Sequence, residues 1–329
     1  MRLTRFRRGA VTTAILAVIA SAPAAAADAA KDYPNHPIRM LVPNAPGSSV
    51  DTLGRIFAQA LTQASGQQVV IDNRAGAGGT LGMEIGKNAN PDGYTILSAS
   101  TAAMTIAPYI YSRLPFDPLK DYEFVTLFGI TPNVLVVHPS LPAKSVKELI
   151  EYCRSKHGEV NMASAGPGSQ SHLAGVVLLS QGKFQSLHVP YKGGGPSVAS
   201  VVAGESQWTI TPAPAVAGLI RSGKLRALGH SLPKRNALLG DMPSVAETVP
   251  SFEYSGWNGL LAPKGTPKPI LDRLRELTIK AVQSPDLKKA FDQQLTAVQT
   301  NTPAEFRAFV AKELKEMGPV VKTAGLKIE

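Results

Sequence analysis

Short apolar runs alternate with amphipathic stretches along most of the chain, and glycine, proline or serine marks each change of period. That order calls for a sheet with helices packed against its faces. Ile38 to Val42 reads as a first strand and Pro43-Asn-Ala-Pro-Gly-Ser-Ser49 as the turn after it. About Val50 to Ala64 reads as a helix with Leu53, Ile56, Phe57, Ala60 and Leu61 along one face. Val69 to Asp72 and Tyr94 to Ser98 follow as strands. Between them lie the loop Arg74-Ala-Gly-Ala-Gly-Gly79, a helix over Leu81 to Ala89 and the turn Pro91-Asp-Gly93. The pattern predicts an α/β fold on a parallel sheet.

A second series begins near Pro132. Val134 to Val137 is a strand, and Ser145-Val-Lys-Glu148 is a capping box opening a helix that Gly158 ends. Val160 to Ser164 leads through Ala165-Gly-Pro-Gly-Ser-Gln-Ser171 into a helix from about Gln170 to Gln181. Leu187 to Val189, Trp208 to Thr211 and Leu225 to Ser231 are further short strands. Near Tyr254 the first pattern returns, with a strand over Gly256 to Leu261. Helix starts follow at Thr266-Pro267 and Thr302-Pro303, the latter boxed by Glu305. The expected organisation is two lobes enclosing a ligand cleft. Residues 28–132 and 255–329 form the first lobe and 133–254 the second, with hinges near 130–133 and 252–256 and the tail helices packed on the first lobe.

At 329 residues, with 44% apolar and 18% charged residues, the chain can bury a core without staples and is not disordered. No repeat of roughly 20–50 residues argues for a solenoid or propeller. Residues 1–27 read as a secretory signal. Arg2, Arg5, Arg7 and Arg8 precede the apolar run Ala10 to Ala20, and Ala25 and Ala27 form a small-residue cleavage site after Ala27. Arg7-Arg8 raises the twin-arginine route, but Gly9-Ala-Val11 favours ordinary secretion. Removing those four arginines from 34 basic residues leaves 30 against 24 acidic ones, a mild +6. The basic residues are scattered, which speaks against nucleic acid or a membrane surface as partner. Cys153, the single cysteine, falls on a helix pattern and not at the cleavage site, so neither a disulfide nor a lipid anchor is expected. These features predict an exported, periplasmic monomer.

Enzyme signatures are missing: there is no G-x-S-x-G, Walker or H-E-x-x-H sequence. His36, His138, His157, His172, His188 and His230 lack metal-ligand spacings, and neither metal nor cofactor is expected. Gly76-Ala-Gly-Gly-Thr-Leu-Gly82 approaches the dinucleotide fingerprint, but Leu81 stands where its third glycine belongs. A tight turn that brings a helix close to the sheet is the alternative.

Two other strand-to-helix turns carry more. Pro46-Gly-Ser-Ser-Val-Asp51 and Gly166-Pro-Gly-Ser-Gln-Ser-His172 each put glycine and serine at a helix start, one in each expected lobe. Exposed N–H groups and the positive helix end there favour an anion, while plain capping by Ser48 and Ser169 accounts for the same residues without a ligand.

Seven ordered segments add a resemblance: Tyr33-Pro-Asn-His-Pro-Ile-Arg39, Pro43-Asn-Ala-Pro-Gly-Ser-Ser-Val-Asp51, Asp72-Asn-Arg-Ala-Gly-Ala-Gly-Gly79, Pro91-Asp-Gly-Tyr-Thr95, His188-Val-Pro-Tyr-Lys-Gly-Gly-Gly-Pro196, Gly223-Lys-Leu-Arg-Ala-Leu228 and Leu261-Ala-Pro-Lys-Gly-Thr-Pro-Lys-Pro269. With them the chain resembles the Bug-type receptors of tripartite tricarboxylate transport systems. The resemblance implies a two-lobed periplasmic binding-protein fold that captures a small carboxylate and passes it to membrane permease subunits. It implies a receptor without catalytic activity. It implies ligand contacts at Asn44, Pro46, Gly47, Ser48 and Ser49 after the first strand, and at Ser100 and Thr101 after the third. In the second lobe it implies Ser164, Gly168, Ser169, His172, Tyr191 and Thr211. Gly47-Ser48 replaces the usual Gly-Gly, and Gln207 and Thr211 stand in a segment where relatives often carry Asp. That change favours an aromatic or aliphatic dicarboxylate over an amino acid, because a ligand ammonium would lack its partner.

Other readings stay open beside this one. A sensing protein that signals to a sensor kinase would share the same cleft. The Ser/Gly turns and His172 motivate a hydrolase or dehydrogenase as a distant rival. His172 reads as a hydrogen-bonding or capping residue before a catalytic base. Tyr191 divides between pocket wall and lobe packing, Trp208 and Trp257 read as core, and Asp51 reads as a helix-start residue.

Overall fold

A computed structural model describes residues 31–326 of the chain. The expected signal sequence and its cleavage site lie outside the described residues. Nine strands are present among the described residues: β1 Ile38–Val42, β2 Val69–Asn73, β3 Thr95–Ser100, β4 Tyr122–Val137, β5 Asn161–Ser164, β6 Leu187–Pro190, β7 Trp208–Pro212, β8 Arg226–His230 and β9 Ser255–Pro263. Their order is β2-β1-β3-β9-β4-β7-β5-β6, with β8 also paired to β4.

The expected parallel sheet is realised only in its outer parts. β1 pairs in parallel with β2 and β3, and β5 with β6 and β7. The middle is antiparallel: β9 runs against β3 and β4, and β4 against β7 and β8. The physical reason is β4, which is 16 residues long and far exceeds the Val134 to Val137 segment expected from the sequence. Its Tyr122–Pro132 part pairs with β9, and its Asn133–Val137 part pairs with β7 and β8. One strand therefore serves both lobes. Beside this change of partner, the Asn133 N–H donates to Ser231 Oγ at 2.8 Å and its Nδ2 to the Tyr254 carbonyl at 2.6 Å.

Helices cover both lobes. In the first, Phe57 of the helix Ser49–Ser65 stacks on Phe128 of β4 with ring centroids 4.4 Å apart, amid Leu53, Leu61, Leu260 and Leu274. In the second, Trp208, Leu135, Leu173 and Phe252 form the centre of the core. Trp208 is fully buried and donates its Nε1–H to Ser186 Oγ, and Trp257 packs edge-on against Phe306 and Phe309, so both indoles are core residues. Cys153 is likewise buried, and burial pushes its thiol up to about 12, which leaves it unreactive.

The C-terminal helix Pro303–Thr323 runs along the first lobe and reaches the helix Gln170–Gly182 of the second. Its start, fixed by the Thr302–Glu305 capping box, places Phe306 and Val310 beside Leu127 and Leu261 of the first lobe. Further on, Met317 and Val321 join the cluster that holds Leu173 of the second lobe and Ile110 of the first. A helix of 21 residues is about 30 Å long, enough to reach from one core to the other. No helix among the described residues is long and apolar enough to cross a membrane.

Candidate functional site

The turn after β1 is built by the residues that follow it. Ser48 has extended backbone and its Oγ accepts from the Asp51 N–H at 3.3 Å, which caps the helix Ser49–Ser65. The Asp51 carboxylate turns back to accept from the Gly47 N–H at 2.8 Å, from Arg55 and from Asn73 Nδ2 at 2.8 Å. Asn73 also donates to the Asn44 carbonyl at 3.0 Å, so β2 holds both ends of the turn. Burial pushes the Asp51 carboxyl up, but the bonds from Arg55, Gly47 and Asn73 outweigh it and hold the group below the ordinary carboxylate range. The helix-start acid is thus ionised yet saturated, and it presents little free negative charge to a ligand. The Ser48 hydroxyl, accepting as a cap, keeps its proton available to donate. Pro46 and Gly47 are exposed, and Asn44, Ser48 and Ser49 are half-buried.

The other first-lobe turns gather beside it. A Cβ on Gly82 would sit 2.7 Å from Pro43 Cα and 2.8 Å from the Arg74 carbonyl, so the helix Thr80–Lys87 presses directly on the turn after β1. This close approach is the tight-turn alternative for the glycine loop. At the end of β3, Thr101 Oγ1 accepts from the Trp257 N–H at 3.1 Å. Ser100 is opposite Asn258 of β9 in the ladder. Ser100 Oγ and Asn258 Oδ1 are both buried with no protein partner.

The second-lobe turn has a denser polar network. Ser169 caps the helix Gln170–Gly182 by accepting from the His172 N–H at 3.2 Å, as Ser48 does in the first lobe. The Gly168 N–H donates to His172 Nδ1 at 3.2 Å, which assigns the neutral ring its proton on Nε2. His172 stacks on His188 of β6, and His188 Nε2 lies 2.6 Å from Ser164 Oγ. Burial, and secondarily the neighbouring His188, pushes His172 down to about 4; burial also lowers His188. Both rings are neutral at pH 7, so this turn carries no imidazolium.

The two lobes meet across these turns. A Cβ on Gly168 would fall 2.2 Å from Ile110 Cδ1, just beyond the β3 turn. A Cβ on Gly256 of β9 would fall 2.1 Å from Gln170 Nε2. The helix Ser49–Ser65 lies against the 3-10 turn Ala213–Ala215, which follows β7. Ser164, Gly168, Ser169 and His172 therefore sit on the same side of the molecule as Ser100 and Thr101. Thr211 is buried near the end of β7 that feeds the Ala213–Ala215 turn.

Two residues stand apart. The Tyr191 hydroxyl is 3.2 Å from Ser206 Oγ, and its ring lies against the second-lobe cluster of Val134, Val198 and Ala213. Gln207 precedes β7, at the end of the strand away from Thr211. Its Oε1 accepts from the Asn161 N–H at 2.8 Å and its Nε2 donates to the Gly204 carbonyl. The charge argument made for the pair rests on Thr211 alone.

Sequence reasoning missed Gln170, Asn258 and His188 as members of this assembly. Gln170 Nε2 is another buried polar atom without a protein partner. Its one local signal was its place directly after the capping Ser169; Asn258 comes from a distant element and gave none, and His188 stood only at the head of the segment His188-Val-Pro-Tyr191. The arrangement offers hydroxyls, two helix N-termini and orphaned side-chain polar atoms, but no activated nucleophile or charged general base, so it is suited to holding a polar anion and not to transforming it.

Comparison with known proteins agrees. Residues 53–326 match the model of the tripartite tricarboxylate transporter family receptor. The chain is 37% identical over 323 residues to protein BugT of Bordetella pertussis, covering 96% of this chain and 99% of that one. It superposes on R. palustris Rpa4515 with adipate at a TM-score of 0.86 and 29% identity, covering 90% of this chain and all of the other. MatC from Rhodopseudomonas palustris with bound malate gives 0.80 at 28% identity, with 88% of this chain covered. The chain belongs to the tripartite tricarboxylate transporter receptors, and is a two-lobed periplasmic solute receptor and not an enzyme.

Proposed function

We propose that the cleft between the lobes captures a small dicarboxylate, aliphatic or aromatic, and that the loaded receptor delivers it to membrane permease subunits. The observation that carries this reading is that each lobe presents a serine-capped helix N-terminus, at Ser48 and at Ser169, and that the Asp51 carboxylate beside the first is already saturated. Each turn offers donors to one carboxylate. Thr211 gives a ligand ammonium no counter-charge, so an unaminated acid is preferred. Relatives described with adipate and with malate support the ligand class. The change of β4 partners at Pro132–Asn133 and the start of β9 at Ser255 supply the hinge in this reading, with residues 133–254 moving against the rest.

Calorimetric titration with adipate, succinate, malate and terephthalate, each beside a monocarboxylate or amino-acid counterpart, tests it. Saturating dicarboxylate should raise the melting temperature, and succinate should bind more tightly than aspartate. Tighter binding of aspartate would overturn the charge argument.

A further inference from the structure

A groove of about 790 Å³ lies at the lobe boundary, lined by none of the candidate ligand-contact residues named above. One wall is second-lobe: the helix Ala217–Arg221 and the segment from Leu239 to Met242. The other is first-lobe: the helix Pro285–Gln293 and Leu295. Its floor is apolar, with Ile220, Met242 and Leu295 packed as half-buried residues against the second-lobe cluster. Its rim is basic: Arg221, Lys288 and Lys289 are exposed and have no carboxylate partner among the described ion pairs, and Asp292 is the single acid lining it.

We infer that this groove docks an acidic segment with apolar side chains, carried by the membrane permease that receives the ligand. The inference rests on the delivery role proposed above and adds the surface that performs it. Charge complementarity selects the partner's sign, because two or three carboxylates could meet three unpaired cations around a floor that accepts apolar side chains. A lipid surface fits less well: it calls for a flat cluster of about four to eight basic residues, whereas three stand here around a concavity. The groove also has a reason to interest a permease. Its walls belong to different lobes and are bridged by Arg221 Nη1, which donates to the Gln293 carbonyl at 2.6 Å, while Leu295 of one wall packs on the other lobe. Any change in lobe angle changes the groove's width, so a segment seated there reads whether the cleft is open or closed.

The test places a photo-reactive benzoylphenylalanine at Ile220 in the full receptor, expressed in its own host, and identifies adducts by mass spectrometry. The expected adduct is with a permease subunit. The pair Lys288→Glu and Lys289→Glu should lower its yield and the uptake of labelled adipate by about tenfold, with the affinity of the purified receptor for adipate unchanged. An undiminished adduct and uptake in the double variant overturn the inference. Loss of binding to anionic-lipid vesicles in that variant, without any permease adduct, assigns the groove to lipid and overturns it as well. If the purified wild-type receptor binds no dicarboxylate, the ligand reading fails while the adduct still reports on docking.

Discussion

His172 stacks on His188 with ring centroids 3.9 Å apart and planes within 10°, joining the N-terminus of one helix to strand β6 beneath it. The contact is possible because neither ring is charged at neutral pH, and it orders Gly168 through His172 Nδ1 and Ser164 through His188 Nε2.

Acid should break this arrangement. The unfolded His172 ring titrates near 6.5 and the folded one is pushed down to about 4, so between these values the unfolded chain holds the extra proton. Stability is therefore present above about 6.5 and lost as pH falls towards 4, by up to about 3 kcal/mol from this ring. His172→Asn, whose Oδ1 can replace Nδ1 as acceptor for Gly168, should flatten that slope. Urea unfolding of both proteins across the window measures it; parallel slopes would rule out His172 as the source.

Ser48→Ala and Ser169→Ala should each weaken carboxylate binding by roughly 1–3 kcal/mol, since each removes a hydroxyl donor to a charged group. Each also removes a cap, so folding stability should fall by about 1 kcal/mol. Titration calorimetry separates the two effects. Unchanged affinity in both variants would take these serines out of the ligand contacts.

Much of this site is written locally. A capping serine followed by its own helix needs only neighbours in sequence, which is why the Ser48 and Ser169 turns and the Thr302–Glu305 box were legible before the fold. Strand β4 was not, because Pro132 looks like a terminator; it is tolerated at the last rung with β9, where the strand changes partners. The helix Pro285–Gln293 carried a readable Ser284-Pro285 start that periodicity alone passed over. The pairing of Ser100 with Asn258 and the stacking of His172 on His188 join residues far apart in the chain, and no local spacing encodes them.

Gly168→Ala should cost about 1–2 kcal/mol from its backbone alone, since φ is +72° there. Its new methyl also meets Ile110 Cδ1 across the lobe boundary, at 2.2 Å before relaxation. Ile110→Val removes that carbon. Combined with Gly168→Ala, it should recover the steric part, giving a double-variant cost at least about 0.5 kcal/mol below the sum of the single costs. Strict additivity in denaturant unfolding would show that the contact is not felt.

Glu313 should give the opposite pH dependence from His172. Its carboxylate accepts from Trp257 Nε1, while the Trp257 N–H holds Thr101 Oγ1 at the end of β3. Burial raises the group to about 7, against the lowering bonds from Trp257 and Thr105, with Glu316 adding to the rise. The folded state keeps the proton between the ordinary 4.5 and about 7, so the linked stability is complete below 4.5 and lost as pH rises through 7. Glu313→Gln keeps an acceptor for the indole and removes the titration. Because Glu313 retains some solvent exposure, the gain over wild type at pH 8 should be about 1–2 kcal/mol, well below the full shift. It should vanish near pH 4.5. Thermal unfolding at these two pH values decides it: a variant equally or less stable than wild type at pH 8 would mean that the Glu313 carboxylate is ionised at no cost beside Trp257.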